Sequence, residues 1–202
     1  MYASKNALEK AGIRAEDIDV IISTNGVNQQ PVPTGSCLLS EKLGLQKSHT
    51  PCMDMNSSCM GFFLGLDIAS YLIEAGKYDN ALICSSDITS IALNLKDIKS
   101  APLLGDGSAA MVVSKDDSHE RGIYTSNSET YSEGAYYSEI KGGLSRLPAM
   151  EYCEDNQAEY LYKLEGKKMA KVVFNNIDDF FERSLKGKGI TLKEIVDDVN
   201  TI

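Results

Sequence analysis

The sequence predicts an α/β fold with a layered core, on three observations. Short apolar, β-branched runs alternate with segments of helical period over most of the 202 residues. One helical segment, residues 60–75, is apolar around most of its circumference, which marks it for burial. A pattern of helix, glycine and acidic turn occurs twice at a constant offset. Leu8, Gly12 and Ile18 have counterparts at Leu185, Gly189 and Ile195, as expected of two related halves.

Taken in order, residues 3–11 form an amphipathic helix that Gly12 ends, glycine being the usual left-handed residue after a helix. Residues 18–24 are β-branched and predict a buried strand. A polar loop with Pro31 and Pro33 precedes a helix over 35–43, closed by Gly44. A short strand at 51–55 leads into the apolar helix, with Ser57 and Ser58 as its N-caps. Residues 80–86 and the small-residue run 107–114 are further strands, and 123–129 is expected to pair with the latter. Gly134, Gly142, Gly143 and Pro148 mark 130–157 as a long loop. From Gly166 to about Lys186, Met169, Val172, Val173, Ile177, Phe180, Phe181 and Leu185 make one apolar stripe of a helix. A strand is expected from Ile195 to Ile202. The domain division is 1–157 for the first half and 158–202 for the start of the second.

Composition narrows the function. The formal net charge is −9, and binding nucleic acid needs a basic surface that neutralises phosphates. No apolar run approaches a bilayer span. Five scattered cysteines without an export signal point to a reducing, cytoplasmic setting. No Cys-x-x-Cys pair is present and no set of histidines completes a zinc site with Cys52 and Cys59, so no metal site is expected. His49 precedes a strand and His119 sits in an acidic turn, neither placed for catalysis.

Cys59 is the residue with chemistry. It stands behind small polar residues at the mouth of the apolar helix, where unpaired N–H groups and the positive end of the helix dipole favour a thiolate. Its own N–H would face anything bound to the sulfur, which joins a nucleophile to half of an oxyanion hole. The alternative is a small buried hydrophobe, the common state of a free cysteine.

Three motifs, in order, resemble one family. Asp54-Met-Asn-Ser-Ser-Cys59-Met-Gly61-Phe62 is similar to the nucleophile motif of the thiolase-like condensing enzymes, closest to β-ketoacyl-acyl carrier protein synthase III. Leu104-Gly105-Asp106-Gly107-Ser-Ala-Ala110 resembles that family's glycine–aspartate–glycine loop, and Tyr160 to Gly166 the segment that opens its second half. The resemblance implies a thiolase-like layered fold (α-β-α-β-α in the complete family), of which this chain would be the N-terminal half and the start of the second. It implies an acyltransferase that condenses an acyl-CoA primer with a malonyl-carrier thioester in fatty acid biosynthesis, with no cofactor and no metal.

By the same resemblance, Cys59 is the nucleophile, and the backbone at Cys59 and Gly61 supports the oxyanion. Gly105, Asp106 and Gly107 form an active-site loop, and Val32 stands near an acyl-pocket loop. Acyl-CoA and acyl carrier protein are the implied partners, in a homodimer, without nucleic acid or membrane. The family's histidine and asparagine for malonyl decarboxylation belong to the second half, the histidine past Ile202. Two other readings stay open: a short homologue or partner subunit without condensing activity, and another synthase of the superfamily, of the hydroxymethylglutaryl-CoA or secondary-metabolite kind.

Overall fold

A computed structural model describes residues 1–118 and 122–199, in two compact units. The first unit comprises Met1–Ser90 with Gly105–Gly122, and the second Ile91–Leu104 with the residues from Ile123 onward.

The first unit holds four strands, β1 (Val20–Ser23), β2 (Cys52–Asp54), β3 (Asn80–Asp87) and β4 (Gly107–Ser114), and three helices, α1 (Tyr2–Ala11), α2 (Gly35–Lys42) and α3 (Gly61–Glu74). The sheet order is β2-β1-β3-β4; β1 runs parallel to both β2 and β3, while β4 is antiparallel to β3. The chain leaves β1 for one neighbour through α2, then crosses to the other through α3. Leu8 of α1 and Leu39 of α2 pack with Ile21, Leu82 and Cys84. Ala69 and Ile73 of α3 pack with Val20, Ile22, Ala81 and Ile83. Helices on both faces explain why β1 reads as an unbroken apolar run: Val20, Ile21 and Ile22 are all 0% exposed. Gly12 ends α1 in the left-handed region, φ 67°, with its N–H donating to Glu9 and Leu8 carbonyls.

The apolar helix departs from expectation. Only one stripe of α3 is buried, Gly61, Gly65, Ala69 and Ile73, while Phe63 and Tyr71 are 63% and 58% exposed. Gly61, Gly65 and Ala69, spaced four apart, bring that face onto the sheet, with Phe62 and Leu66 half-buried against the same core and Phe63 and Tyr71 turned away from it.

In the second unit, β5 (Ser138–Glu139) pairs antiparallel with β6 (Lys163–Leu164), and α4 (Gly166–Leu185) and α5 (Leu192–Val199) follow. Residues 130–157, expected as a plain loop, contain β5 and 3₁₀ turns at Ser132–Gly134 and Ala149–Glu151, with a further turn over Glu154–Tyr160. Gly142 is required here, because a Cβ would overlap the Tyr160 ring. The α4 stripe is half-buried at Val172, Phe180, Phe181 and Leu185, and exposed at Met169, Val173 and Ile177.

Residues 123–129 form no strand. They are fastened to α4 instead: Arg183 donates from Nε and Nη2 to the two Glu129 carboxylate oxygens at 2.9 and 2.7 Å, and Asn127 donates to Ser184 Oγ at 2.8 Å. The Arg183 guanidinium and the Tyr131 hydroxyl hold the Glu129 carboxyl down to about 2. A carboxyl depressed on folding adds stability above its unfolded value, near 4.5, and loses it as pH falls toward 2. Arg183→Gln is therefore expected to flatten the fall in melting temperature between pH 5 and pH 3 relative to the wild type; parallel pH curves for both would refute this.

The strand expected from Ile195 is also absent: residues 192–199 are helical, and 200–202 lie outside the described residues, as does His119. A capping box starts this helix. The Thr191 N–H and Oγ1 donate to Glu194 Oε2 at 2.7 and 2.8 Å, and the Glu194 N–H returns to Thr191 Oγ1 at 3.3 Å. The internal echo thus holds as far as the left-handed glycines, Gly12 at φ 67° and Gly189 at φ 73°, and the turn after them. It diverges where β1 begins in one copy and α5 continues in the other.

Candidate active site

The carboxyl ends of β1, β2 and β3 lie on one edge of the first unit, the edge where α/β sheets place their ligands. Three segments leave the sheet there. The chain after β1 is tied across it: the Thr24 N–H and Oγ1 both donate to the Cys84 carbonyl, at 2.8 and 3.2 Å. The Val27 N–H donates to Asp87 Oδ1 at 2.6 Å, and Ser85 Oγ donates to Asp87 Oδ2 at 2.9 Å. The chain after β2 carries Cys59, and the Met55 N–H at its root donates to the Ser23 carbonyl at 2.8 Å.

Ser57 and Ser58 do not cap α3. The N-cap is Met60, without a side-chain bond, because residues 57–60 first make a tight turn. In it the Met60 N–H donates to the Ser57 carbonyl and the Gly61 N–H to that of Ser58, each at 3.1 Å. Ser58 stands in the left-handed region at φ 49°, uncommon for a residue with a side chain. Cys59 follows at this elbow, two residues ahead of α3, and is exposed. That overturns the reading of a buried apolar thiol.

The approach of α3 to the sheet is set by glycine. A Cβ on Gly61 would lie 2.7 Å from the Thr24 carbonyl oxygen, and one on Gly65 2.7 Å from Thr24 Cγ2. Asp54, five residues before Cys59, holds α2: its carboxylate accepts the Gly35 N–H (2.7 Å), the Ser36 N–H (2.9 Å) and Ser36 Oγ (2.5 Å).

Gly105, Asp106 and Gly107 open β4 at the same edge, since Gly107 stands opposite Asp87 in the register. Thr89 Oγ1 donates to the Gly105 carbonyl at 2.9 Å, and the Ser90 N–H and Oγ donate to the Asp106 carboxylate at 2.9 and 2.8 Å. These donors hold the Asp106 carboxyl below the usual carboxylate range. Neither glycine is at positive φ, and a Cβ on either would meet open space. Val32 is 81% exposed in its loop, its carbonyl accepting Gln30 Nε2 at 2.6 Å. His49 is exposed.

Sequence reasoning selected Cys59, Gly61 and the 105–107 loop, and missed their supports: Thr24, Gly26, Asn56, Asp87 and Ser90. The signal available for these was slight, a polar residue directly after an apolar strand.

The other thiols differ in kind. Burial pushes the Cys84 thiol up to about 11 and raises that of Cys52, while Cys37 and Cys153 are exposed. Iodoacetamide on the folded protein is expected to modify the exposed Cys59 well ahead of Cys84, which should react only on unfolding; equal rates for these two in the folded protein would refute this. A groove of about 520 Å³ between Phe181, Leu185 and Ile190 belongs to the second unit and holds none of these residues. Among the described residues no helix is long and apolar enough to cross a membrane.

Comparison with known proteins converges on one family. Residues 53–134, which include Cys59 and the 105–107 loop, match the sequence model of 3-oxoacyl-[acyl-carrier-protein] synthase III. The chain is 31% identical over 193 residues to the β-ketoacyl-[acyl-carrier-protein] synthase III of Caldanaerobacter subterraneus subsp. tengcongensis, covering 96% of this chain and 57% of that protein. It is 28% identical over 193 residues to synthase III 1 of Bacteroides thetaiotaomicron, covering 96% and 56%. The chain thus spans a little over half the length of these curated relatives. A 3-oxoacyl-(acyl-carrier-protein) synthase III crystal structure superposes with a TM-score of 0.82 at 22% identity, over 95% of this chain and 59% of that one. The enzyme from Aquifex aeolicus gives 0.77 at 22% identity, over 93% and 55%. Motif, sequence and fold agree: the chain is a relative of the β-ketoacyl-[acyl-carrier-protein] synthase III enzymes and shares their thiolase-like α/β fold.

Proposed function

We propose that Cys59 is the acyl-accepting nucleophile of a β-ketoacyl-carrier-protein synthase of the synthase III type. The observation that carries this is the exposed thiol on a left-handed elbow, directly ahead of α3, at the carboxyl edge of the parallel strands. The Cys59 sulfur attacks the carbonyl carbon of an acyl-CoA thioester. Negative charge gathers on the carbonyl oxygen, with the backbone N–H of Cys59 as its support; Gly61, named with it from the sequence, gives its own N–H to the Ser58 carbonyl and supports the turn instead. The carbon–sulfur bond to CoA then breaks, the CoA thiolate leaves and takes a proton, and Cys59 keeps the acyl group. In the second half-reaction a malonyl group on an acyl carrier protein loses carbon dioxide. Its carbanion attacks the acyl-cysteine carbonyl, freeing the Cys59 thiolate and a β-ketoacyl carrier product.

In this reading the 105–107 loop borders the site, and Val32 borders the acyl pocket, in a homodimer. Two related halves meet near residues 157 and 158. The partners are acyl-CoA and acyl carrier protein, without metal or resident cofactor, in the cytoplasm. The sequence match over 193 residues to proteins named for this activity supports the substrate class.

Intact-mass spectrometry of the natural protein after incubation with acetyl-CoA tests the reading. One acetyl group is expected, mapped to Cys59 and lost completely in Cys59→Ala. Acetylation persisting in Cys59→Ala, or none on the wild type with acetyl-CoA or longer acyl-CoA thioesters, would overturn it.

A further inference from the structure

The turn that presents Cys59 is braced from outside itself. The Ser58 N–H donates to Asn56 Oδ1 at 2.9 Å, and Asn56 Nδ2 donates to the Gly26 carbonyl at 3.3 Å. Gly26 fills the space between two groups: a Cβ there would lie 3.6 Å from the Ser58 Cα and 3.5 Å from Asp87 Oδ1. Asp87 in turn accepts the N–H of Val27, the next residue. The end of β3, the loop after β1 and the elbow after β2 are therefore linked in series, ending one residue before Cys59. Ser58 at φ 49° would relax toward negative φ without such a link, since the left-handed region crowds the Cβ of any residue but glycine. Rotation about Ser58 swings the next residue, so a relaxed Ser58 re-aims the Cys59 sulfur.

We propose that Asn56 is a positioning residue for acyl transfer: seated on the Gly26 carbonyl, it holds Ser58 in the left-handed conformation and so aims Cys59 at the thioester. Asp87 is the fixed end of the brace, through Val27. Asn56 touches neither the sulfur nor the substrate in this scheme. Both Asn56 and Ser58 are exposed, so their replacement leaves the packed core intact. The proposal rests on Cys59 being the nucleophile.

The test separates aim from folding and from thiol reactivity, in the natural full-length protein. Asn56→Ala is expected to slow acetyl transfer from acetyl-CoA to Cys59 about tenfold. Its melting temperature and its rate of Cys59 alkylation by iodoacetamide, a small reagent that needs no fixed approach, should change by less than about twofold in rate and a degree or two in temperature. Adding Ser58→Gly to Asn56→Ala is expected to restore most of the acetyl transfer, because glycine adopts positive φ without a penalty. Two results would overturn the brace alone: acetyl transfer unchanged in Asn56→Ala, or a tenfold loss that Ser58→Gly leaves uncorrected. A wild-type protein that takes no acyl group would overturn the nucleophile reading as well, which distinguishes the two failures.

Discussion

Gly61→Ala is expected to destabilise the first unit by about 1–3 kcal/mol and to abolish most acyl transfer to Cys59. In an exposed helix the same change stabilises by roughly 0.5–1 kcal/mol, since alanine is the better helix former. Here the added Cβ would lie 2.7 Å from the Thr24 carbonyl oxygen. That oxygen is backbone, and Thr24 is fixed by two hydrogen bonds to the Cys84 carbonyl. No side-chain rotation relieves the overlap, so α3 must move off the sheet and carry the Cys59 elbow with it. Gly65→Ala supplies the control. Its Cβ would meet Thr24 Cγ2, also at 2.7 Å, with Ile83 Cγ2 at an ordinary 3.5 Å. Thr24→Ser removes that methyl and keeps the hydroxyl, and is expected to rescue Gly65→Ala but not Gly61→Ala. Urea midpoints of the two double mutants decide the matter; equal rescue of both would show that the helix shifts freely and that Gly61 sets nothing.

Asp54→Ala is expected to cost about 3 kcal/mol. The N-cap of α2, Thr34, makes no side-chain capping bond, and the cap arrives from β2 instead. The Asp54 carboxylate takes the Gly35 and Ser36 N–H groups and the Ser36 hydroxyl, and Ser36 is 0% exposed. Removing the acceptor leaves the Gly35 and Ser36 N–H groups unpaired at the positive end of a helix, the costly side of hydrogen bonding, while the Ser36 hydroxyl keeps Thr34 Oγ1 at 3.3 Å. Asp54→Asn retains one acceptor oxygen and points an NH₂ at a second donor, so about half the loss is expected. A urea midpoint that drops with an unchanged slope would match this account. A midpoint within experimental error of the wild type would mean that water satisfies α2 equally well.

The sheet and its helices were legible because burial on both faces of a parallel strand leaves a signature in composition. Val20, Ile21 and Ile22 could hardly be anything else, and Gly12 marks the end of α1 by a conformation that glycine adopts freely. The misreadings share a cause, which is that a periodic pattern does not say what covers it. Phe63 and Ile68 look like core residues in the sequence and are exposed. Residues 123–129 have strand composition, yet they pair with no strand, and Asn127 and Glu129 are bonded to Ser184 and Arg183 of α4 instead. At 192–199 the apolar pattern is compatible with strand or helix, and the Thr191–Glu194 box tips it to helix, a local signal that the echo with β1 does not contain.

At the candidate site, Cys59 and the 105–107 loop could be picked out because chemistry and glycine spacing are written locally. Their supports could not. Asp54 meets α2, Asn56 meets Gly26, and Asp87 meets Val27 only because three parallel strands bring their carboxyl ends to one edge.

The sequence by itself determined the α/β class, the strands and helices of the first unit, the family resemblance and the choice of Cys59 as the candidate thiol. Those follow from local propensity, burial pattern and side-chain chemistry, which each segment carries with it. The tertiary structure alone decided where α3 begins, which face of it is covered, that Ser58 is left-handed, and which distant carboxylates and amides hold the elbow. Each of these is settled by contact between residues remote in the chain, and such contacts exist only once the strands have chosen their neighbours.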